Sequence, residues 1–137
     1  MATAKKILII DDDPDIVEAM KMPLESHGYE VVSASSGQEG LSTLVKESPD
    51  LIILDVMMES TTEGFQVAYA IRSDAPGSAY AKFRKIPILM VTAINQVMKT
   101  KFSKETDAEY LPVTEFIEKP IQPADLLNKV ASLLVKA

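Results

Sequence analysis

The sequence predicts an α/β fold, a doubly wound five-stranded parallel sheet with strand order 2-1-3-4-5. Residues 7–10 and 51–54 are short, wholly apolar runs, which is typical of central parallel strands covered by helices on both faces. Stretches with apolar residues at helical spacing lie between such runs, so strands and helices alternate along the chain. Because parallel crossovers are right-handed, few topologies remain, and we expect this strand order.

Length and composition limit the class of protein. The 137 residues are 47% hydrophobic and 25% charged, which predicts a single domain over residues 1–137 and no output domain. A net charge of −6 argues against direct binding of nucleic acid. The chain has no cysteine for a disulfide or a thiolate metal site. Its first apolar run is too short for a signal peptide or a membrane span, so we expect a cytoplasmic protein without membrane contact.

The first half of the chain predicts three strands and two helices. After the first strand, Asp13 suits the cap of a helix that ends at Gly28, the usual left-handed terminator. The β-branched content of residues 29–34 predicts the second strand. Ser36 and Glu39 have the spacing of a capping box and begin the second helix, which leads to the strand at 51–54.

The second half repeats this alternation with longer connections. A third helix precedes residues 74–85, a segment long enough to hold an extra helical turn. Residues 87–92 form the fourth strand, and residues 93–107 form a weak fourth helix. Residues 115–118 alternate with charge, which predicts a short edge strand, and the last helix begins near Pro123 with a clear apolar stripe.

Polar residues stand at the carboxyl ends of four predicted strands. They are Asp11 and Asp12, Asp55, Thr92, and Lys119. In open α/β sheets this edge binds ligands, and three carboxylates there require either raised pKa values or a divalent cation. An all-oxygen site favours Mg²⁺, and a carboxylate beside Mg²⁺ can attack phosphorus to form an acyl phosphate. The hydroxyl and the amine could then bind the phosphoryl oxygens.

The sequence resembles the receiver domains of response regulators in two-component signalling, whose fold is flavodoxin-like. The resemblance covers essentially the whole chain. It depends on four motifs in a fixed order, found at residues 9–13, 54–58, 91–93 and 116–120. It implies a phosphorylation-dependent switch that receives its phosphoryl group from a histidine kinase or a histidine phosphotransfer protein and controls a partner protein. It implies no separate substrate, and therefore no enzyme in the usual sense.

The same resemblance assigns the phosphoacceptor and the metal ligands. Asp55 is the phosphoacceptor, and Mg²⁺ is the cofactor. The metal is held by Asp11, Asp12 and Asp55, with the backbone carbonyl of Met57 as a further ligand. The loop after the phosphoacceptor departs from the family pattern, because Glu59 replaces a proline and the following glycine lies one residue late.

The resemblance also assigns the residues of the switch. Thr92 is the hydroxyl that follows the phosphoryl group, Lys119 is the catalytic lysine, and Phe116 is the switch aromatic. These residues are expected to change the face formed by the fourth helix, the fifth strand and the last helix. The connection from Thr92 to Lys119 is longer than usual, which leaves the shape of that face open.

Four alternatives stand beside this interpretation, and the sequence argues against the last two of them. The chain could be an intermediate in a phosphate relay, or a docking receiver that never takes phosphate. A phosphatase of the haloacid-dehalogenase type would need a second aspartate two positions after Asp55 as the general acid, where this chain has Met57. A flavin carrier of similar topology would need a hydroxyl- and glycine-rich loop after the first strand, where this chain has acids.

Overall fold

The computed structural model describes residues 5–55, 63–72, 80–83, 85–92, 115–118 and 121–136. The strands are β1 (Lys6–Ile10), β2 (Glu30–Ala34), β3 (Leu51–Asp55), β4 (Ile88–Thr92) and β5 (Glu115–Glu118). The helices are α1 (Pro14–Ser26), α2 (Gly37–Glu47), α3 (Glu63–Arg72) and α4 (Pro123–Lys136), with a 3₁₀ turn at Ala81–Phe83. All strand pairs are parallel and the order is β2-β1-β3-β4-β5, which confirms the predicted fold class.

Two hydrophobic layers cover the sheet, one on each face. Alternate residues of β1, β3 and β4 point to opposite faces, as the period of a strand requires. One face packs against α2 and α3, and the other packs against α1 and α4. All five residues of β3 are buried, and so are the last four of β1. The central strands therefore lie between helices on both sides, and they fix the positions of the residues at their carboxyl ends.

Helix α1 begins and ends with well-formed caps. The Asp13 carboxylate accepts the backbone N–H two residues ahead at 2.9 Å. At the other end Gly28 has a φ of 92°, and the N–H of Tyr29 donates to the carbonyl of Leu24 at 3.1 Å, which together form a Schellman motif. Because Tyr29 completes this motif, β2 begins at Glu30, one residue later than predicted.

Two serines form hydrogen bonds at the amino-terminal end of helix α2. The Ser36 hydroxyl accepts the N–H of Glu39 at 3.1 Å, as the capping box predicts. The Glu39 carboxylate reaches one residue further back than expected, and accepts the N–H of Ser35 at 2.6 Å and its hydroxyl at 2.9 Å. These hydrogen bonds, the backbone one first, lower the pKa of Glu39 below its usual 4.5.

The lowered pKa of Glu39 predicts an acid-sensitive contribution to stability. A carboxyl group with a depressed folded-state pKa contributes stability above its unfolded value, and this is lost as the pH falls through the folded-state pKa. We expect Glu39→Gln to melt at a lower temperature than the wild type at pH 7, and the difference to close below about pH 4.5. Thermal melts across this range test this, with Glu25→Gln as the control. A pH-independent difference between Glu39→Gln and the wild type would contradict the assignment.

Gly40 allows α2 to pack closely on β1. A Cβ built at Gly40 would lie 2.5 Å from Cδ1 and 2.8 Å from Cγ1 of Ile10, a side chain that is fully buried. Ile10 directly precedes Asp11, so this close contact between helix and sheet lies beside the acidic edge.

We expect Gly40→Ala to destabilise the fold although alanine is the better helix former. The gain in helix propensity is about 1 kcal/mol, whereas inserting a methyl group into a packed core costs about 1–3 kcal/mol. Urea unfolding measures the difference. Ser42→Ala, on the exposed side of the same helix, should be neutral or slightly stabilising. Equal gains in both variants would show that the space beside Ile10 is not limiting.

Of the remaining predicted elements, two lie among the described residues and one does not. The segment 74–85 contains the 3₁₀ turn Ala81–Phe83, and β5 pairs with β4 at the edge of the sheet, as predicted. The predicted helix at 93–107 lies outside the described residues. Within the described part of the chain, no helix combines the length and apolar character needed to cross a bilayer.

Candidate functional site

Three carboxylates converge at the carboxyl edge of the sheet, where β1 and β3 end side by side. Asp55 is the last residue of β3, while Asp11 and Asp12 follow β1. One carboxylate oxygen from each of the three residues lies within 4.8 Å of the others. Asp11 and Asp55 are each only 2% exposed, whereas Asp12 is exposed. The predicted convergence of these acids is present, and the cluster is open to solvent on the side of Asp12.

Backbone hydrogen bonds hold Asp11 in place. Its N–H donates to the carbonyl of Ala34 at 3.0 Å, which ties the end of β1 to the end of β2. Its Oδ1 accepts the N–H of Asp13 at 2.9 Å. Asp13 therefore caps α1 with its side chain and orients Asp11 with its main chain. The sequence indicated only the first of these roles.

The cluster has the chemistry of a site for a hard divalent cation. Ionised carboxylates at these distances repel each other by on the order of 3 kcal/mol per pair at an effective dielectric constant of about 20. All three ligand atoms are oxygens, which Mg²⁺ prefers, and the open side leaves room for water and a phosphoryl oxygen. The residues present therefore fit the predicted Mg²⁺.

The structure describes the other predicted site residues only in part. Thr92 is the last residue of β4, next to β3 in the sheet, so its backbone reaches the edge where Asp55 lies. Phe116 in β5 is partly buried against the α2–α3 layer, and its N–H donates to Oε1 of Glu115 at 3.0 Å. Met57 and Lys119 lie outside the described residues.

An open groove of about 460 Å³ extends from the acidic cluster between α1, β2 and the start of α2. Asp11 and Asp12 form one end of it, and Val17, Lys21 and Glu39 are among its other lining residues. This groove was not predicted from the sequence. Its only signal was that Val17 and Lys21 fall one helical turn apart on α1, which by itself does not distinguish a groove from an ordinary helix surface.

Comparisons with known proteins agree on one family. The family model "Response regulator receiver domain" matches residues 7–131. The alkaline phosphatase synthesis transcriptional regulatory protein PhoP of Bacillus subtilis is 35% identical over 95% of this chain, which covers 48% of PhoP. Protein PilH of Pseudomonas aeruginosa is 30% identical over 94% of the chain and 97% of its own length. The chain thus spans about half the length of most of the first relatives and nearly all of PilH.

Solved structures show the same fold. The high-resolution structure of the chemotaxis response regulator CheY4 of Vibrio cholerae superposes with a TM-score of 0.77 at 30% identity, over 96% of this chain and 99% of that one. The similarity extends over nearly the full length of both chains.

Proposed function

This chain belongs to the response regulator receiver domain family, and from that premise we propose that it is a switch phosphorylated on Asp55. The phosphoryl group comes from a histidine kinase or a histidine phosphotransfer protein, and the phosphorylated chain acts on a partner protein. The observation that supports this proposal best is the cluster of Asp11, Asp12 and Asp55 at the carboxyl edge of the sheet. We place this exchange in the cytoplasm, as the sequence predicts.

Asp55 is the nucleophile in the proposed reaction. One of its carboxylate oxygens attacks the phosphorus of the donor, the bond from phosphorus to the donor's imidazole nitrogen breaks, and an acyl phosphate forms. Asp11, Asp12 and Asp55 would hold Mg²⁺, with the Met57 carbonyl as a further ligand. When bound, the metal neutralises negative charge that builds up around the transferred group. Asp55 is already fixed at the end of a buried strand, so little ordering is needed before attack.

The remaining assigned residues respond to the new phosphoryl group. In the proposal, the hydroxyl of Thr92 and the amine of Lys119 bind its oxygens, and Phe116 changes its packing as Thr92 moves. Phe116 lies in β5, so this change would reach the face formed by β5, α4 and the predicted helix at 93–107. We propose that this face contacts the downstream protein.

Phosphorylation by a small acyl phosphate tests the proposal directly. The purified chain is incubated with the donor, with and without Mg²⁺, and its intact mass is followed. We expect one phosphoryl group per chain with Mg²⁺ and almost none when the metal is chelated. Adding Mg²⁺ back after chelation should restore the reaction. A chain that gains no mass at saturating donor and Mg²⁺ would instead be a docking receiver.

A further inference from the structure

A second groove lies at the opposite, amino-terminal edge of the sheet, with a volume of about 330 Å³. Its apolar walls come from the loop before β3, from the 3₁₀ turn, and from the described residues between that turn and β4. They include Phe83 and Ile86, which are 7% and 8% exposed, together with Pro49 and Pro87. The exposed Lys82 and Lys85 stand at its rim.

Backbone hydrogen bonds shape this groove. The N–H of Ile86 donates to the carbonyl of Phe83 at 2.9 Å, and the carbonyl of Pro87 accepts the N–H of Ile52 at 3.0 Å. Asp50, the one acidic residue among the described residues of the lining, is held at the wall. Its Oδ2 accepts the N–H of Lys6 at 2.8 Å, and its own N–H donates to the Lys6 carbonyl at 2.7 Å. Hydrogen bonds within the fold itself therefore hold the groove walls in place.

The described lining of this groove carries a charge opposite to that of the chain as a whole, because its two lysines outnumber Asp50. The net charge is −6, and three aspartates converge at the other edge. Here Lys82 and Lys85 form no ion pair with any residue that the structure describes, and Nζ of Lys82 lies 5.1 Å from the centre of the Phe83 ring. An acidic ligand is thus repelled by the aspartate edge and attracted to the two rim lysines of this groove.

We propose that this groove docks an acidic segment of a partner protein that inserts one apolar side chain. The apolar side chain would pack against Phe83 and Ile86, and flanking carboxylates would pair with Lys82 and Lys85. Asp50 and Asp55 are separated by the length of β3, about 16 Å at the usual rise per residue. A partner bound here leaves the aspartate cluster accessible, so docking and phosphorylation can occur on the same molecule.

A labelled peptide of eight glutamates around a central leucine is a suitable probe, with binding followed by fluorescence anisotropy. Two further peptides separate the apolar contribution to binding from the electrostatic one. In the first, serine replaces leucine, and in the second, glutamine replaces every glutamate. Both should bind more weakly than the probe. Amide chemical shifts of the wild-type chain should change around residues 49–52 and 80–88. Shifts confined to other regions would overturn the proposal.

Charge reversal at the rim provides the second test. Lys82→Glu/Lys85→Glu should weaken binding of the probe about tenfold or more, because two ion pairs become two repulsions. Lys21→Glu/Lys129→Glu makes the same change in net charge on α1 and α4 and should retain most of the affinity. If both double variants lose the same affinity for the probe, binding depends on net charge alone and not on this groove, which would overturn the proposal. Thermal melts confirm that both variants fold.

Other possible ligands of this groove would give different experimental results. A second copy of the chain would appear as self-association in sedimentation velocity that Lys82→Glu/Lys85→Glu abolishes, and a single-stranded oligonucleotide that binds more tightly than the peptide would indicate nucleic acid. Either result overturns an acidic protein segment as the ligand. Phosphorylation of Lys82→Glu/Lys85→Glu by the small donor should equal that of the wild type, so a failure of docking is separate from a failure of the proposed switch.

Discussion

Asp55→Asn is expected to abolish the gain of one phosphoryl group. The amide is almost isosteric with the carboxylate and fits the same buried position at the end of β3, but it is a poor nucleophile and carries no charge. The other carboxylates cannot replace it easily, because Asp11 is held by the N–H of Asp13 and Asp12 is exposed to water. We expect no modified chain above background in the intact mass spectrum.

Asp13→Asn is the matched control for this variant. It removes one negative charge beside the cluster, and asparagine caps a helix about as well as aspartate. The backbone N–H that orients Asp11 is unchanged. Asp13→Asn should therefore be phosphorylated to the same extent as the wild type. Full labelling of Asp55→Asn at another residue would show that the phosphoacceptor has been assigned wrongly.

Asp12→Ala should remove most of the stabilisation by Mg²⁺. A ligand that binds only the folded state adds about 2.7 kcal/mol when its concentration is 100 times Kd. If the loss of the Asp12 carboxylate weakens binding 100-fold, the gain at the same concentration falls to about 0.4 kcal/mol. Without metal, the variant should melt at a higher temperature than the wild type, because one of three mutually repelling charges is gone.

Melting temperatures measured against Mg²⁺ concentration test both expectations for Asp12→Ala. Asp15→Ala is the control, since Asp15 is an exposed acid in the first turn of α1 and does not belong to the three-carboxylate cluster. It should keep the Mg²⁺ response of the wild type. If Asp12→Ala responds to Mg²⁺ as the wild type does, the metal binds elsewhere.

The fold and the three aspartates were predictable because both depend on strong local patterns. Wholly apolar runs such as 51–54 are typical of a strand covered on both faces, and an acid after such a run is then expected at the edge of the sheet. The start of β2 was wrong by one residue, because the N–H of Tyr29 completes the end of α1 and propensity alone does not reveal that hydrogen bond.

The two grooves could not be predicted, because their walls come from distant parts of the chain. The second groove joins Pro49 and Asp50 to residues 82–83 and 85–87, and nothing in either stretch of sequence specifies the distance between them. The hydrogen bonds from Ser35 to Glu39 were not predicted either. The capping-box spacing allows the Glu39 carboxylate to accept from Ser36 or from Ser35, and the sequence does not distinguish the two.

The strand order also has a consequence for how the chain folds. Every neighbouring pair of strands is parallel, so two strands can pair only after the crossover connection between them has formed. Even the pairing of β1 with β2 closes a loop that contains the whole of α1. Such long-range closure slows folding relative to hairpin sheets of similar size. The three strands that carry or anchor the aspartates, β1, β2 and β3, are nevertheless complete by residue 55. During synthesis, all three aspartates and the strands that hold them therefore emerge from the ribosome before β4 and β5 do.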